Sequence, residues 1–304
     1  HLQAIKHNVE AIRQAQREAM LKPPSKMKFV EDVVGGVPGE WVEALKVKPA
    51  NTLLYVHGGG CNSGSPVIYR PLTSFFAKHG FRVFVPAYRL APEHPFPAAL
   101  DDLCAVWRVL SANGPVAIAG DSAGGYLILS LMLRLKTEGQ TLPVAAALFS
   151  PVTDLTLSGE SLVTNHERDA LLTADNIKIM RDHYLRDTDP SHPLASPLFG
   201  DLANFPPLLI HVGEREILRD DSTRLAANAN KAGVKVHLKV WRVVPHAWQM
   251  THAFMPEARK SLKTAVEFLK NELAQAAAKQ EATTSSALRP AFAPGAINPA
   301  WEPE

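Results

Sequence analysis

The sequence predicts an α/β protein: a mostly parallel central sheet with helices on both faces. Three observations carry this. Short apolar runs of strand length alternate along the chain with longer stretches of helical periodicity. One run passes straight into a helix-like stretch through a glycine-flanked serine. With 304 residues, 46% of them hydrophobic and 20% charged, the chain is large and apolar enough to bury one core as a single α/β unit.

In chain order, the strand-like runs are Thr52 to Val56, Arg82 to Pro86, Val116 to Ala119, Ala145 to Phe149, Leu208 to Val212 and Val234 to Val240. Helix-like stretches lie at Pro71 to His79, Ala98 to Ala112, Gly124 to Lys136, Ser222 to Ala232 and Pro256 to Gln275. Two segments do not fit this alternation. Residues 1 to about 22 carry Leu2, Ile5, Val9 and Ile12 at the spacing of an amphipathic helix. Residues 155–206 form a polar, helix-tending excursion that includes Ala174 to Leu185. The last stretch, Ala276 to Glu304, is rich in Ala, Pro, Ser and Thr without periodicity and reads as a flexible C-terminal tail.

Gly120-Asp121-Ser122-Ala123-Gly124-Gly125 joins the apolar Val116 run to the apolar run that begins at Tyr126. A serine on so tight a strand-to-helix turn needs glycine two residues before and two after, because side chains there would collide with the neighbouring strand and helix. Gly120 and Gly124 fill those places, so Ser122 Oγ is expected at the carboxyl end of the sheet, in front of a helix N-terminus. Upstream, Leu53-Leu54-Tyr55-Val56 runs into His57-Gly58-Gly59-Gly60. Glycines after a buried strand let backbone N–H groups turn inward, which predicts an oxyanion hole made by Gly59, Gly60 and Ala123. No Lys-Ser/Thr follows, so the loop is not a phosphate-binding P-loop.

Downstream, Val244-Pro245-His246 follows the last strand-like run. A histidine there can return to the serine as its general base, with an ordinary pKa near neutrality suited to proton transfer in both directions. His57 belongs to the glycine loop and reads as its brace, and the other histidines read as surface or packing groups. An acid is needed to accept the imidazole Nδ1–H and fix its tautomer. Glu216 lies just past the Leu208 strand and is the favoured candidate; Asp220 is the alternative, and with Asp221 it also reads as a cap for the helix after it. Ser122, acid and His246 then stand in the chain order of the α/β-hydrolases.

With those residues in place, the chain resembles the hormone-sensitive-lipase-like bacterial esterases within the α/β-hydrolases. His57-Gly58-Gly59-Gly60 and Gly120-Asp121-Ser122-Ala123-Gly124-Gly125 match that family's two signatures, as does the run Tyr88-Arg89-Leu90-Ala91-Pro92-Glu93-His94-Pro95-Phe96-Pro97-Ala98-Ala99. The similarity continues through Ser150-Pro151-Val152-Thr153-Asp154-Leu155 to Pro245-His246, covering roughly residues 30 to 270. It implies that Glu216-Ile217-Leu218-Arg219-Asp220 occupies the place of an Asp-Pro-Leu-Arg-Asp-like motif, with glutamate where the family's acid is usually aspartate. Cys61 is a second departure, standing where an aromatic residue often follows the glycines.

The resemblance implies a catalytic domain over 23–154 and 207–275 and a helical cap over 1–22 and 155–206. It further implies a carboxylesterase acting on short- to medium-chain esters through an acyl-enzyme, with no cofactor and no metal. Asp121 and Glu93 are expected to support the turns around the site, together with Gly58 and His57, while Tyr88 and Arg89 hold their own segment. Two other readings stay open: an amidase or peptidase using the same three residues, and a receptor of this fold that binds a small ligand without chemistry.

Composition narrows the partners. A net charge of +2 offers no footprint for nucleic acid, and no apolar run reaches the ~18 residues of a membrane span. Cys61 and Cys104 are too few for a disulfide framework and read as buried thiols in a reducing, cytoplasmic compartment. Nothing resembles a signal peptide, and the chain opens on His1 without an initiator methionine, so a few leading residues are expected to be removed or missing. The expected partner is a small-molecule ester, with a homodimer left open.

Overall fold

The computed structural model describes residues 2–20 and 22–287, and of residues 2–8 and 282–287 the backbone only. Eight strands, β1 (Met27–Val34), β2 (Val37–Ala44), β3 (Asn51–Val56), β4 (Phe81–Pro86), β5 (Val116–Asp121), β6 (Ala146–Phe149), β7 (Leu208–Gly213) and β8 (Val236–Trp241), form one sheet. Their order is β1-β2-β4-β3-β5-β6-β7-β8. The β1–β2 and β2–β4 pairs are antiparallel and every other pair is parallel.

The strands β3 to β8 are the six expected from the sequence, within two residues at each end. The hairpin β1–β2 was not expected. Acidic Glu31 and Asp32 interrupt β1, most of which is exposed, and Pro38 and Gly39 interrupt β2. Its signal is the turn itself: Gly35 and Gly36, both at positive φ, join Val34 to Val37 as a two-residue hairpin connection demands.

Helices cover both faces. Side chains alternate across a strand, so Leu53 and Tyr55 of β3 face one core and Leu54 and Val56 the other. On the first side pack α2 (Pro66–Lys78) through Leu72 and Phe76 and α8 (Pro256–Ala287) through Leu262 and Leu269. The second side is covered by α3 (Ala98–Ala112), α4 (Ala123–Thr137) and α7 (Arg219–Lys231), through residues such as Leu103, Leu127 and Leu225.

Three boundaries differ from expectation. α2 starts at Pro66, capped by Ser65 whose Oγ accepts from Ile68 N at 3.5 Å, and Pro71 lies inside it. α7 starts at Arg219, so Asp220 and Asp221 stand in its first turn and neither caps it. Both carboxylates serve the chain after β6 instead: Asp221 Oδ1 accepts from Thr153 N (2.6 Å) and Asp154 N (3.0 Å), just before the 155–206 segment, and Asp220 Oδ2 from Ser161 N (2.8 Å) within it. α8 runs past Gln275 to Ala287, where the expected tail is helical. An alanine-rich run has no apolar stripe to reveal it but carries the highest intrinsic helix propensity. The remainder of the expected tail, 288–304, lies outside the described residues.

α1 (Leu2–Glu18) stands beside this core, and the 155–206 segment, which contains α5 (Ser161–Thr164) and α6 (Ala174–Leu185), packs onto its second side through residues such as Leu162, Leu198 and Phe205. Of the apolar stripe expected on α1, Val9 is buried but Ile12 is exposed; the side chains of Leu2 and Ile5 lie outside those described. Among the described residues no helix is long and apolar enough to cross a membrane. Both cysteines are free and buried.

Candidate active site

Ser122 stands between the end of β5 and the start of α4 at φ 52° and ψ −121°, a conformation L-residues rarely adopt. It is held there from several directions: its N–H donates to Phe149 O (2.8 Å), and its carbonyl accepts from Tyr126 N (3.2 Å) and Val152 N (3.3 Å). Gly124 has to be glycine, because a Cβ would drive into the Val56 carbonyl of the adjacent strand.

His246 comes from the loop after β8, turned by Ala247 in the left-handed region. Its Nε2 lies 2.9 Å from Ser122 Oγ, and its Nδ1 lies 2.7 Å from Glu216 Oε2. The carboxylate takes the Nδ1–H, leaving the Nε2 lone pair for the serine hydroxyl. Burial disfavours the imidazolium, but the bond and charge of Glu216, with Asp121 and Asp169 further off, outweigh it and raise the His246 pKa above its ordinary value. Glu216 is itself buried. Its Oε1 accepts Ser150 Oγ–H at 2.7 Å and Gly213 N–H at 2.5 Å, so one oxygen is occupied by two donors and the other faces the histidine. Asp220, the alternative acid, is bonded to Ser161 and Arg219.

The glycine loop is braced from three sides. Burial pushes the His57 pKa down to about 4, so its ring is neutral; its Nδ1–H donates to Gly58 O (2.8 Å) and the ring stacks on Tyr88 at 4.3 Å. Asp121, whose carboxyl is pushed up by burial, accepts from Tyr55 OH (2.9 Å) and Tyr69 OH (2.8 Å), and the Tyr69 oxygen in turn accepts Gly58 N–H at 3.0 Å. The third brace is α1. Arg13 donates to Asn62 O (2.8 Å), Ala91 O (3.0 Å) and both oxygens of Glu93, while Gln16 donates to Ser63 Oγ (3.1 Å) and accepts from Gly64 N (3.0 Å). Glu93 therefore reaches the loop through Arg13. Arg89, by contrast, pairs at 2.8 Å with Asp102 on α3, tying its segment to that helix.

Arg13, Gln16 and Ser150 were not singled out in the sequence. The first two lie on the polar part of a helix that reads as solvent-facing, and Ser150 is a single polar residue at the end of an apolar strand run. Cys61 is buried in the loop at φ 58°, where burial pushes its thiol far above the range in which a thiolate forms.

Ser122, His246, Gly59, Gly60 and Ala123 open into one cavity of about 610 Å³, walled by α1 on one side and α6 on the other. Its lining includes the exposed Met20, Leu171 and Phe254 and the buried Tyr126 and Tyr184. α6 presses on the loop: a Cβ at Gly60 would come within 2.5 Å of Met180 Sδ. A hydroxyl bonded to an imidazole that is bonded in turn to a buried carboxylate is an arrangement for nucleophilic acyl transfer.

Residues 53–250 match the family described as alpha/beta hydrolase fold. The chain belongs to that family. Among α/β-hydrolases it falls with the hormone-sensitive-lipase-like esterases, the group its motifs resemble. An acetyl-hydrolase of Streptomyces hygroscopicus is 41% identical over 242 residues, covering 78% of this chain and 81% of that protein. An esterase of Acinetobacter venetianus is 39% identical over 241 residues, covering 77% and 79%. Among solved α/β-hydrolase structures, an esterase from the bacterial hormone-sensitive lipase family superposes with a TM-score of 0.85 at 36% identity, over 87% of this chain and 92% of that one.

Proposed function

We propose that this esterase hydrolyses short- to medium-chain carboxylic esters through an acyl-enzyme on Ser122, with His246 as general base and acid and Glu216 as the acid that orients it. The observation that carries the reading is His246 bridging Ser122 Oγ and Glu216 Oε2 at 2.9 and 2.7 Å. His246 removes the hydroxyl proton as Oγ attacks the ester carbonyl, and the Glu216 carboxylate stabilises the imidazolium that results. The N–H groups of Gly59, Gly60 and Ala123 receive the oxyanion; elsewhere, losing one such donor costs ~2.7 to 4 kcal/mol. His246 then protonates the leaving alcohol, which departs, and activates a water that frees the acid product. α1 and the 155–206 segment act as a cap that shapes the cavity.

Short acyl groups are the proposed preference, with the bulky side chains of buried Tyr126 and Tyr184 in the cavity lining limiting the room for a long chain. Relatives named for acetyl hydrolysis support the same preference. In a series of p-nitrophenyl esters from acetate to palmitate, kcat/KM is expected to peak between about two and eight acyl carbons. A matching p-nitroanilide is expected to turn over far more slowly. Higher specificity for palmitate than for butyrate overturns the acyl preference; faster anilide than ester cleavage favours an amidase, and turnover of neither favours a receptor.

The raised pKa of His246 sets the pH dependence. The neutral imidazole is the active base, so activity is lost as pH falls through its pKa, and the acid limb of the kcat/KM profile is expected above the ordinary value of 6.5. A midpoint below 6.5 contradicts the coupling to Glu216.

A further inference from the structure

Glu216 lies on the turn from β7 to α7, and much of that turn is held by a different part of the chain. Asn165 Nδ2 donates to Glu216 O at 2.8 Å and to Glu214 O at 3.0 Å. Asp169 Oδ2 accepts from Ile217 N at 2.9 Å. Ser161 Oγ donates to Ile217 O at 2.6 Å and accepts from Asp220 N at 3.0 Å. The three residues are four apart, and the bonds Asn165 N to Ser161 O (3.0 Å) and Asp169 N to Asn165 O (2.9 Å) put them on one face of a helical run. Ser161 and Asn165 are fully buried. A buried asparagine that gives both amide hydrogens to carbonyls of one turn fixes that turn against displacement. Asp169 reaches in two directions, since its Oδ1 accepts from Leu171 N (2.9 Å) and Leu172 N (3.0 Å), and both leucines line the cavity.

We infer that Ser161, Asn165 and Asp169 are positioning residues for the catalytic acid, so that the segment walling the substrate cavity also sets where the Glu216 carboxylate meets His246. This rests on Glu216 being the acid. A catalytic turn that is free to shift by about 1 Å loses on the order of 10²-fold in rate without losing substrate affinity.

The test compares Asn165→Leu, which keeps the branched shape but removes both donors, with the pair Asp169→Ala and Asp169→Asn and with Glu216→Gln. Asn165→Leu is expected to lower kcat about 10²-fold with KM nearly unchanged. It is also expected to move the acid limb of the kcat/KM profile to lower pH, because His246 loses support from Glu216 while the charges facing it, on Glu216, Asp121 and Asp169, are all retained. Asp169→Ala and Asp169→Asn are both expected to lower kcat similarly, because an asparagine gives its one oxygen to the two donors Leu171 N and Leu172 N and turns its NH₂ toward Ile217 N. This pair remains decisive if Asn165→Leu does not fold.

A lowered melting temperature with kcat and pH limb unchanged in Asn165→Leu overturns the positioning role, as does a kcat loss with no shift of the limb. Wild-type kcat in both Asp169→Ala and Asp169→Asn removes Asp169 from it. Normal turnover in Glu216→Gln overturns the acid assignment itself. An inactive Glu216→Gln beside wild-type rates in the Asn165 and Asp169 variants overturns the positioning role alone.

Discussion

Ser122→Ala is expected to reduce ester turnover by about 10⁶-fold, the scale seen when a serine hydrolase loses its nucleophile. Melting temperature should stay nearly constant. The turn is fixed by backbone bonds to Phe149, Tyr126 and Val152, which alanine keeps, and the lost Oγ bonds to His246. Alanine also tolerates the positive φ no worse than serine, so no new strain enters. Covalent labelling by a fluorophosphonate should disappear with activity. Labelling that persists in the variant places the nucleophile at another residue.

Glu216→Gln is expected to cost about 10⁴-fold in kcat, as the corresponding aspartate-to-asparagine change does in a serine protease. The surroundings of the carboxylate explain why. Ser150 Oγ–H and Gly213 N–H both donate to Oε1, so a glutamine settles with its carbonyl oxygen there and turns its NH₂ toward His246 Nδ1. Nδ1 must then accept, the ring proton moves to Nε2, and the serine hydroxyl has no base. Asp220→Asn keeps an oxygen for Ser161 N and should leave kcat near wild type, with a stability loss of about 1 kcal/mol. Measuring kcat and thermal midpoint for both variants separates the assignments: a large kcat loss in Asp220→Asn with near-normal turnover in Glu216→Gln reverses them.

The two carboxylates show where sequence reading ends. Glu216 and Asp220 are four residues apart on the same turn-to-helix segment, and both have the chemistry to orient an imidazole. Only the packing directs one toward His246 and the other toward Ser161. Arg13 and Gln16 are similar. On a polar helix face they look solvated until the loop at 62–64 is brought against them. Asn165 sits in a segment whose composition announced only a polar excursion, yet it is fully buried.

By itself the sequence determined the α/β class, six of the eight strands among the described residues, the serine on its glycine-flanked turn and the glycine loop after β3. Each depends on constraints that act between neighbours: side-chain period, helix propensity, and the few residues that tolerate a given φ. The tertiary structure decided which acid faces the histidine, what braces the glycine loop, and that acidic β1 joins the sheet. Those contacts join residues far apart in the chain, 124 positions for Ser122 and His246 and 49 for Arg13 and Asn62. Such a hydrogen bond exists only once sheet order and helix packing have fixed both partners to within a fraction of an ångström, and no local pattern in the chain encodes that distance.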